Sequence, residues 1–267
     1  TGFMCIGLVV ANRKKVSWGK YRTVGGLIVA FVVWQVLVVL ISGGEIYQQL
    51  FGSQGRNTGF ITYFAFSFIF VGSVIASGAD VLKSLFVVLF VVGSASLAYG
   101  VVQALGGDPF KWVNPYSPVF GFLGNPNFQS SFVGFSGVMA FAVLISKDLL
   151  PLMRGGYFVY LVAAAYVIKA TTSQQGFLVL MGGIGVVLFI WISKSRYKLL
   201  TIPSLVAGFV GVVLVTLGSL NTGPLASVLY KASVTYRGDY WRAGWKMTTE
   251  HPFFGVGLDS YGDWYRR

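Results

Sequence analysis

Long apolar runs, separated by short polar stretches, constrain the fold of this chain more than any other feature. A helix that crosses a bilayer needs roughly 20 mostly apolar residues, and seven runs approach or exceed that length. Charged residues make up only 10% of the 267, against about a quarter in a soluble domain, so the chain lacks the polar surface to face water. The runs are residues 24–42, 59–76, 85–105, 128–146, 157–171, 176–193 and 199–220.

These runs are predicted to be helices. Hydrocarbon offers no partner for backbone N–H and C=O groups, so every span must satisfy its own hydrogen bonds. A transmembrane barrel would need polar and apolar residues in alternation, and runs such as residues 31–41 do not alternate. A further run at residues 1–11 reaches only about 17 Å at about 1.5 Å per residue. We therefore predict an all-α, polytopic transmembrane helical bundle with one partial span and about seven full spans.

The chain is predicted to divide near residue 220. Residues 1–220 would form a transmembrane helical region, and the polar and aromatic residues 221–267 would begin a large outer loop. The chain starts at Thr1 with a run too short to cross the bilayer, and it stops at Arg267 inside the polar segment. We therefore expect both ends to be truncated.

The placement of the basic residues predicts the orientation of the spans. The net charge is +12, but eleven Lys and Arg side chains fall in one set of alternate loops and three in the other. Basic residues concentrate in cytoplasmic loops, so the richer set marks the cytoplasmic side, and membrane lipids rather than nucleic acid are the expected partner. Residues 43–58, 106–127, 172–175 and all those after 220 would then face outward.

Three of the outward segments hold candidate binding residues between spans. Arg56 could pair with a phosphate through its fork of donors, or contact lipid headgroups. Asn127 follows an Asn-Pro turn and is expected to cap the next helix. Gln174 and Gln175 belong to the polar run 171–176, which is expected either to line a water-filled or protein-buried cavity or to form a plain interfacial turn.

The fourth outward segment, residues 236–261, is the richest in polar and aromatic residues. On a helix, Arg237, Trp241, Gly244 and Trp245 would share one face. That face would suit a sugar and its diphosphate, and it would equally suit a helix lying on the membrane surface. The single histidine, His251, precedes a proline, which favours a loop or cap position over a role as a base. The carboxylates of this segment have no histidine or cysteine beside them at the spacing of metal ligands. We therefore expect no metal and no cofactor.

At these four segments the chain resembles the O-antigen ligase-like membrane family, which includes lipopolysaccharide ligases, some O-antigen polymerases and related oligosaccharyltransferases. The likeness rests on residues 55–59, 124–128, 237–247 and, most distinctively, 251–261 with its Pro-x-x-Gly-Val-Gly core. It implies metal-independent glycan transfer at the outer face of the bacterial inner membrane. The donor would be a glycan on undecaprenyl diphosphate, and the acceptor a sugar or protein hydroxyl.

The resemblance also implies roles for individual residues. Outward-facing arginines of the family hold the diphosphate and stabilise the leaving group, and Arg237 stands where one of them is placed. The family often has Ser-Arg-Gly where this chain has Gln174 and Gln175 between Ser and Gly. Glutamine cannot neutralise charge, so Arg56 is expected to take part of that role. The family's catalytic histidine lies further along the loop, beyond Arg267, so this chain would be inactive alone.

Two alternatives from other classes remain open on the sequence. A polysaccharide or lipid transporter or flippase would have ionisable residues near the middle of its spans and broken helices in paired halves. The runs contain few such residues: Gln35 and Gln103 are polar but neutral, and Lys169 is near an end. A non-catalytic membrane scaffold is favoured by the glutamines that replace an arginine.

Overall fold

The computed structural model describes residues 22–76, 79–112, 117–147, 149–230 and 232–266. Every regular element within those ranges is a helix, which confirms the predicted all-α class. The helices are α1 Arg22–Ile41, α2 Ile46–Phe51, α3 Phe60–Ala76, α4 Ala79–Ala104, α5 Pro126–Leu144, α6 Pro151–Ala170, α7 Gln175–Lys194, α8 Thr201–Ser219, α9 Ala226–Leu229, α10 Ala232–Glu250 and α11 Tyr261–Tyr265.

The long helices correspond to the predicted spans. Six of them, α1 and α4 to α8, are long and apolar enough to cross a membrane. The other predicted full span is α3, whose 17 residues stand at the lower limit for a crossing. Helix α6 begins at Pro151 rather than at residue 157, because proline loses no hydrogen bond in the first turn of a helix. The partial span at residues 1–11 lies outside the described residues.

The chain forms two compact units. One contains Thr1–Val81 together with Lys231–Arg267, and the other contains Leu82–Tyr230. In the first unit, the loop between α10 and α11 contacts α1, α2 and the loop after α2. The division at residue 220 into a membrane region and an outer loop stays a prediction.

In the second unit, α5 and α7 lie side by side through small residues. A Cβ atom on Gly134 would lie 2.6 Å from the carbonyl oxygen of Gly176, and one on Gly176 would overlap Ser130 Oγ. Further along, a Cβ atom on Gly183 would overlap the side chain of Val138. Such contacts let two backbones approach closely where lipid provides no hydrophobic drive for association. The start of α5 contacts the start of α7, and residues further along α5 contact residues further along α7. The two helices are therefore parallel.

A buried amide supplements the apolar core of this unit. The core consists of Leu97, Val119, Val133, Ala164, Val167, Ile168 and Leu180. Beside it, Ser96 Oγ donates a hydrogen bond of 2.7 Å to Gln129 Oε1, and Gln129 Nε2 donates one of 2.8 Å to the Ser96 carbonyl. Gln129 is fully buried, and both ends of its amide are satisfied, as buried polar groups require. The pair ties α4 to α5.

The α5–α7 contact gives the first testable prediction. Gly176→Ala places a methyl group on Ser130 Oγ, and overpacking of this kind costs about 1–3 kcal/mol. The control is Gly185→Ala on the same helix, where a Cβ atom meets nothing within 4 Å. In thermal unfolding of the purified protein in detergent, Gly176→Ala should lower the Tm and Gly185→Ala should leave it unchanged or slightly higher. Equal Tm values for the two variants would contradict the packing described here.

Candidate functional site

In the first unit, Asp259 links the loop after α2 to the loop after α10. Its Oδ2 accepts hydrogen bonds from the Ser53 N–H at 2.6 Å and from Ser53 Oγ at 2.8 Å. Burial alone would raise the pKa of Asp259, but hydrogen bonds from Ser53 and Thr58 and the charge of Arg56 hold it below its ordinary value. The carboxylate is therefore ionised at neutral pH, and it ties the Arg56 loop to the Gly-Val-Gly segment.

Two consecutive glutamines on α2 complete this junction. Gln49 is fully buried; its Oε1 accepts from Ser42 Oγ at 2.9 Å and from the Leu258 N–H at 3.3 Å. Gln48 Nε2 donates to Asp263 Oδ2 at 2.8 Å. At Gly257, φ is +100° and a Cβ atom would lie 3.0 Å from Gln49 Oε1. The glycine is thus required for the loop to pack against the amide, which explains part of the distinctive Gly-Val-Gly pattern.

Aromatic contacts hold the same segment from two other directions. The Phe254 ring stacks on Trp34 of α1, with ring centroids 5.2 Å apart. The His251 ring packs edge-on against Trp264 at 4.8 Å, and its backbone N–H donates to the Met247 carbonyl at 2.9 Å. His251 therefore follows the last turn of α10, in the loop position that the sequence favours.

A groove of about 890 Å³ opens beside the Asp259 junction. Arg56 lies on its wall, together with a cluster of tyrosines from α10 and α11. The Tyr240 and Tyr265 ring centroids are 5.1 Å apart, and Tyr261 stacks on Tyr265 at 6.0 Å. The lining residues are Glu45, Tyr47, Gln48, Gly52, Ser53, Gln54, Arg56, Tyr240, Asp259, Tyr261, Gly262, Asp263, Tyr265 and Arg266.

Within the tyrosine cluster, one hydrogen bond holds Tyr261 of α11 against Tyr240 of α10. Tyr261 OH donates to the Tyr240 carbonyl at 2.5 Å. Burial, with Tyr265 and Tyr240 nearby, raises the pKa of the Tyr261 hydroxyl, so it stays protonated and keeps donating. Aromatic rings present an apolar face beside a polar tip, and an arginine presents a fork that matches phosphate oxygens. A groove that combines the two can hold a sugar and a phosphate side by side.

Helix α10 carries the other predicted residues of this unit. Arg237 is exposed and makes no hydrogen bond or ion pair with any side chain in the described ranges. It lies three residues before Tyr240, on the same side of the helix. Trp241 and Trp245 are 76% and 72% exposed, and a Cβ atom on Gly244 would lie 3.5 Å from the Tyr261 ring. The segment is helical, which is the condition under which Arg237 and Trp241 share a face. The side chains of both tryptophans are largely exposed.

The predicted cap at Asn127 is wrong. Asn125 is the N-cap of α5, because its Oδ1 accepts from the Asn127 N–H at 2.8 Å and Pro126 takes the first helical position. Proline there has no N–H to satisfy, and its fixed φ suits the start of a helix. Asn127 itself is exposed, within the first turn of α5.

The polar run before α7 is partly buried in protein. Thr171 and Ser173 are buried; Ser130 Oγ donates to the Ser173 carbonyl at 3.4 Å and accepts from the Gly176 N–H at 2.8 Å. The burial of these side chains agrees with the interpretation of a protein-buried cluster and not with that of a plain interfacial turn.

Gln174 and Gln175 lie at the N-terminal end of α7, each half-buried. Gln174 Nε2 donates to the Val228 carbonyl, so it joins the segment after α8 to the start of α7. The Gln175 N–H donates to Ser173 Oγ at 3.3 Å.

A second polar junction, at the same end of the unit, was not predicted from the sequence. Gln103 Nε2 donates to Asp108 Oδ2 at 2.8 Å, and Gln103 Oε1 accepts from the Gly121 N–H at 2.8 Å. Partial burial would raise the pKa of Asp108, yet hydrogen bonds from the Phe110 N–H, Gln103 and Tyr99 together lower it. The available signal was Gln103 itself, a polar residue near the end of an apolar run. The junction orders the loop that leads into α5.

Comparisons with known proteins agree with the resemblance found in the sequence. Residues 159–267 match the family model described as O-antigen ligase. The match includes Gln174, Gln175, Arg237 and Trp241. Arg56 and Asn127 precede its first residue. No curated protein and no solved structure matches the chain. Residues 159–267 are therefore similar to the O-antigen ligase family, within a chain that has several helices long and apolar enough to cross a membrane.

Proposed function

We propose that this protein transfers a glycan from an undecaprenyl-diphosphate donor to a sugar or protein hydroxyl at the outer face of the bacterial inner membrane. The family match supports glycan transfer in general. The observation that carries the finer proposal is the groove of the first unit, where Arg56 lies in one wall with Tyr240, Tyr261 and Tyr265. Such a groove suits a substrate that is part sugar and part phosphate.

The chemistry of the transfer explains why arginines are needed. The acceptor oxygen forms a bond to the anomeric carbon of the donor sugar, and the bond from that carbon to the diphosphate oxygen breaks. The acceptor proton passes to a base, and negative charge grows on the departing diphosphate. Fixed cations beside that charge lower the barrier, and arginine binds phosphate oxygens in pairs. Arg237 and Arg56 are assigned this role, with Arg237 the principal contact because its guanidinium is exposed and without a partner among the described side chains.

Neutral groups would bind the glycan itself. Trp241, 76% exposed, offers a flat apolar face to a sugar ring. In the second unit, taken by itself, Asn127, Gln174 and Gln175 offer amide donors and acceptors to sugar hydroxyls. Glutamine at 174 and 175 gives this segment less positive charge than the family pattern, which often has an arginine there. Gln174 is already engaged with the Val228 carbonyl, so Gln175 and the exposed Asn127 are the freer amides.

The layout of the second unit supports the outward orientation of these amides. Ser130 meets Ser173 near the start of α5 and α7, the end at which Asn127 and Gln174 lie. The two helices are parallel, so Lys147 and Lys194 lie at the opposite end. Basic residues favour the cytoplasmic side, so the amide end is the one proposed to face outward.

Arg237→Ala, introduced into the full-length protein, should abolish glycan transfer without changing insertion into the membrane. Loss of a transition-state donor typically lowers rates about 10²–10³-fold. The matched control is Arg242→Ala on the same helix, since Arg242 pairs with Asp239 at 3.7 Å on the exposed surface. Both variants would be expressed in a strain lacking the native gene, and surface glycans would be profiled. Normal glycans from the Arg237 variant would remove it from the site.

Arg56→Ala should reduce transfer partially, by about tenfold, because one of two cations that face the growing charge is lost. Arg56→Lys should recover only part of the loss, since an ammonium cannot bind two phosphate oxygens in the fork geometry. Lys111→Ala serves as the control, as an exposed cation in another loop assigned to the same side. If the Arg56 variant matched wild type, Arg56 would be a lipid-contacting residue instead.

Asp259→Ala should free the Arg56 loop from the Gly-Val-Gly segment. We expect faster tryptic cleavage after Arg56 and a drop in transfer of about tenfold or more, since misplaced binding groups cost up to about 100-fold. Asp239→Ala, which removes an exposed carboxylate from α10, should change neither quantity. Unaltered cleavage and transfer in the Asp259 variant would show that this carboxylate does not position the loop.

A further inference from the structure

A second cavity, of about 810 Å³, lies in the second unit where α5 and α7 end. Its walls come from the last turns of these two helices and its rim from the segments that follow them. It does not include any residue assigned to glycan transfer. The lining residues are Ala142, Ile145, Ser146, Lys147, Val187, Ile190, Trp191, Lys194, Ser195, Arg196 and Tyr197.

The shape of the helix pair explains why a space opens here. Glycines hold α5 and α7 in close contact at Gly134 and Gly176, and again at Gly183. Beyond these positions the facing residues are larger, and the helices no longer meet through glycine. Ile145 and Ile190 form an apolar floor near the end of the span. An acyl chain fits a surface of this kind because it is apolar and lies at membrane depth.

The rim of the cavity is strongly basic. Lys147 follows α5, Lys194 is in the last turn of α7, and Arg196 follows it. No carboxylate is among the residues that line the cavity in the described part of the chain. Arg196 is held in place, because its Nη2 donates to Tyr197 OH at 2.9 Å and its guanidinium lies 5.1 Å from the Tyr197 ring centroid.

A further arginine binds two backbone carbonyls in the segment that follows α5. Carbonyl groups at the C-terminus of a helix carry partial negative charge, and both α5 and α7 end here. Arg154 Nη2 donates to the Ser146 carbonyl at 3.2 Å and to the Lys147 carbonyl at 3.4 Å. The Lys147 ammonium is not needed for those carbonyls, and it is available to a ligand.

We propose that this cavity binds an anionic phospholipid, with the headgroup phosphate among Lys147, Lys194 and Arg196 and an acyl chain against the apolar floor. Basic residues at a helix end also set topology, and that role requires no cavity. Here, however, one cation from the end of α7 and two from the segments that follow α5 and α7 converge on a single concave space with apolar walls. Basic pockets between transmembrane helices recognise acidic headgroups in this way. The assignment is independent of the proposed glycan transfer.

The test uses the purified protein in detergent and native mass spectrometry to count bound lipids. Phosphatidylglycerol should bind at one saturable site, phosphatidylcholine should bind much more weakly, and glycerol phosphate should fail to compete at equal concentration. Each cation contributes about a fivefold gain in affinity near the membrane surface. Lys194→Gln combined with Arg196→Gln should therefore weaken phosphatidylglycerol binding about 25-fold, and Lys83→Gln, on α4 and outside the cavity, should not.

Several outcomes would overturn the proposal. Equal binding of phosphatidylglycerol and phosphatidylcholine would remove the role of charge. Unchanged binding in the double variant would place the lipid elsewhere. Competition by glycerol phosphate at equal concentration would identify a site for phosphate alone, without the acyl chain. Both substituted side chains are on the surface, and thermal unfolding without lipid checks that the variant keeps the wild-type Tm.

Discussion

In hydrocarbon, a backbone N–H or C=O group without a partner costs several kcal/mol, and this cost determines the architecture of the protein. Each apolar run must form a helix that satisfies its own hydrogen bonds. What remains to be specified is where the helices touch. Glycine contacts between α5 and α7 set the closest approach, and the buried Gln129 amide ties α4 to α5 through Ser96. Because an unpaired amide would be costly in this environment, few polar contacts suffice to select the arrangement.

The loops follow the same rule on a smaller scale. In the first unit, Gln49 and Asp259 gather backbone and hydroxyl groups from segments that are far apart in the sequence. The junction gives the Arg56 loop and the tyrosine cluster a common support. The proposed role of this groove in binding a sugar diphosphate requires fixed donors, since donors that reorganise during a reaction lose much of their effect. The ionised Asp259 carboxylate provides that fixation next to Arg56.

Sequence reasoning predicted the spans well because a membrane crossing depends on length and apolar composition, which are local properties. It assigned residues 221–267 to an outer loop, and the 19-residue helix α10 within that loop was considered only as a condition for the shared face of Arg237 and Trp241. It missed the Asp259–Ser53 and Gln129–Ser96 pairs, because contacts between distant residues leave no periodic pattern. It placed the cap of α5 at Asn127 rather than Asn125, since both asparagines flank the same proline and only geometry separates them. The site residues themselves stay predictions that require function to be measured.

The most direct test of glycan transfer is to delete the gene that encodes this chain and to profile two pools together. One pool is the surface glycan, and the other is the glycan still attached to undecaprenyl diphosphate, labelled separately on each face of the membrane. We expect loss of the surface product and accumulation of lipid-linked glycan on the outer face. Accumulation on the cytoplasmic face would indicate transport across the bilayer, and unchanged pools would indicate a scaffold; either result would contradict the account.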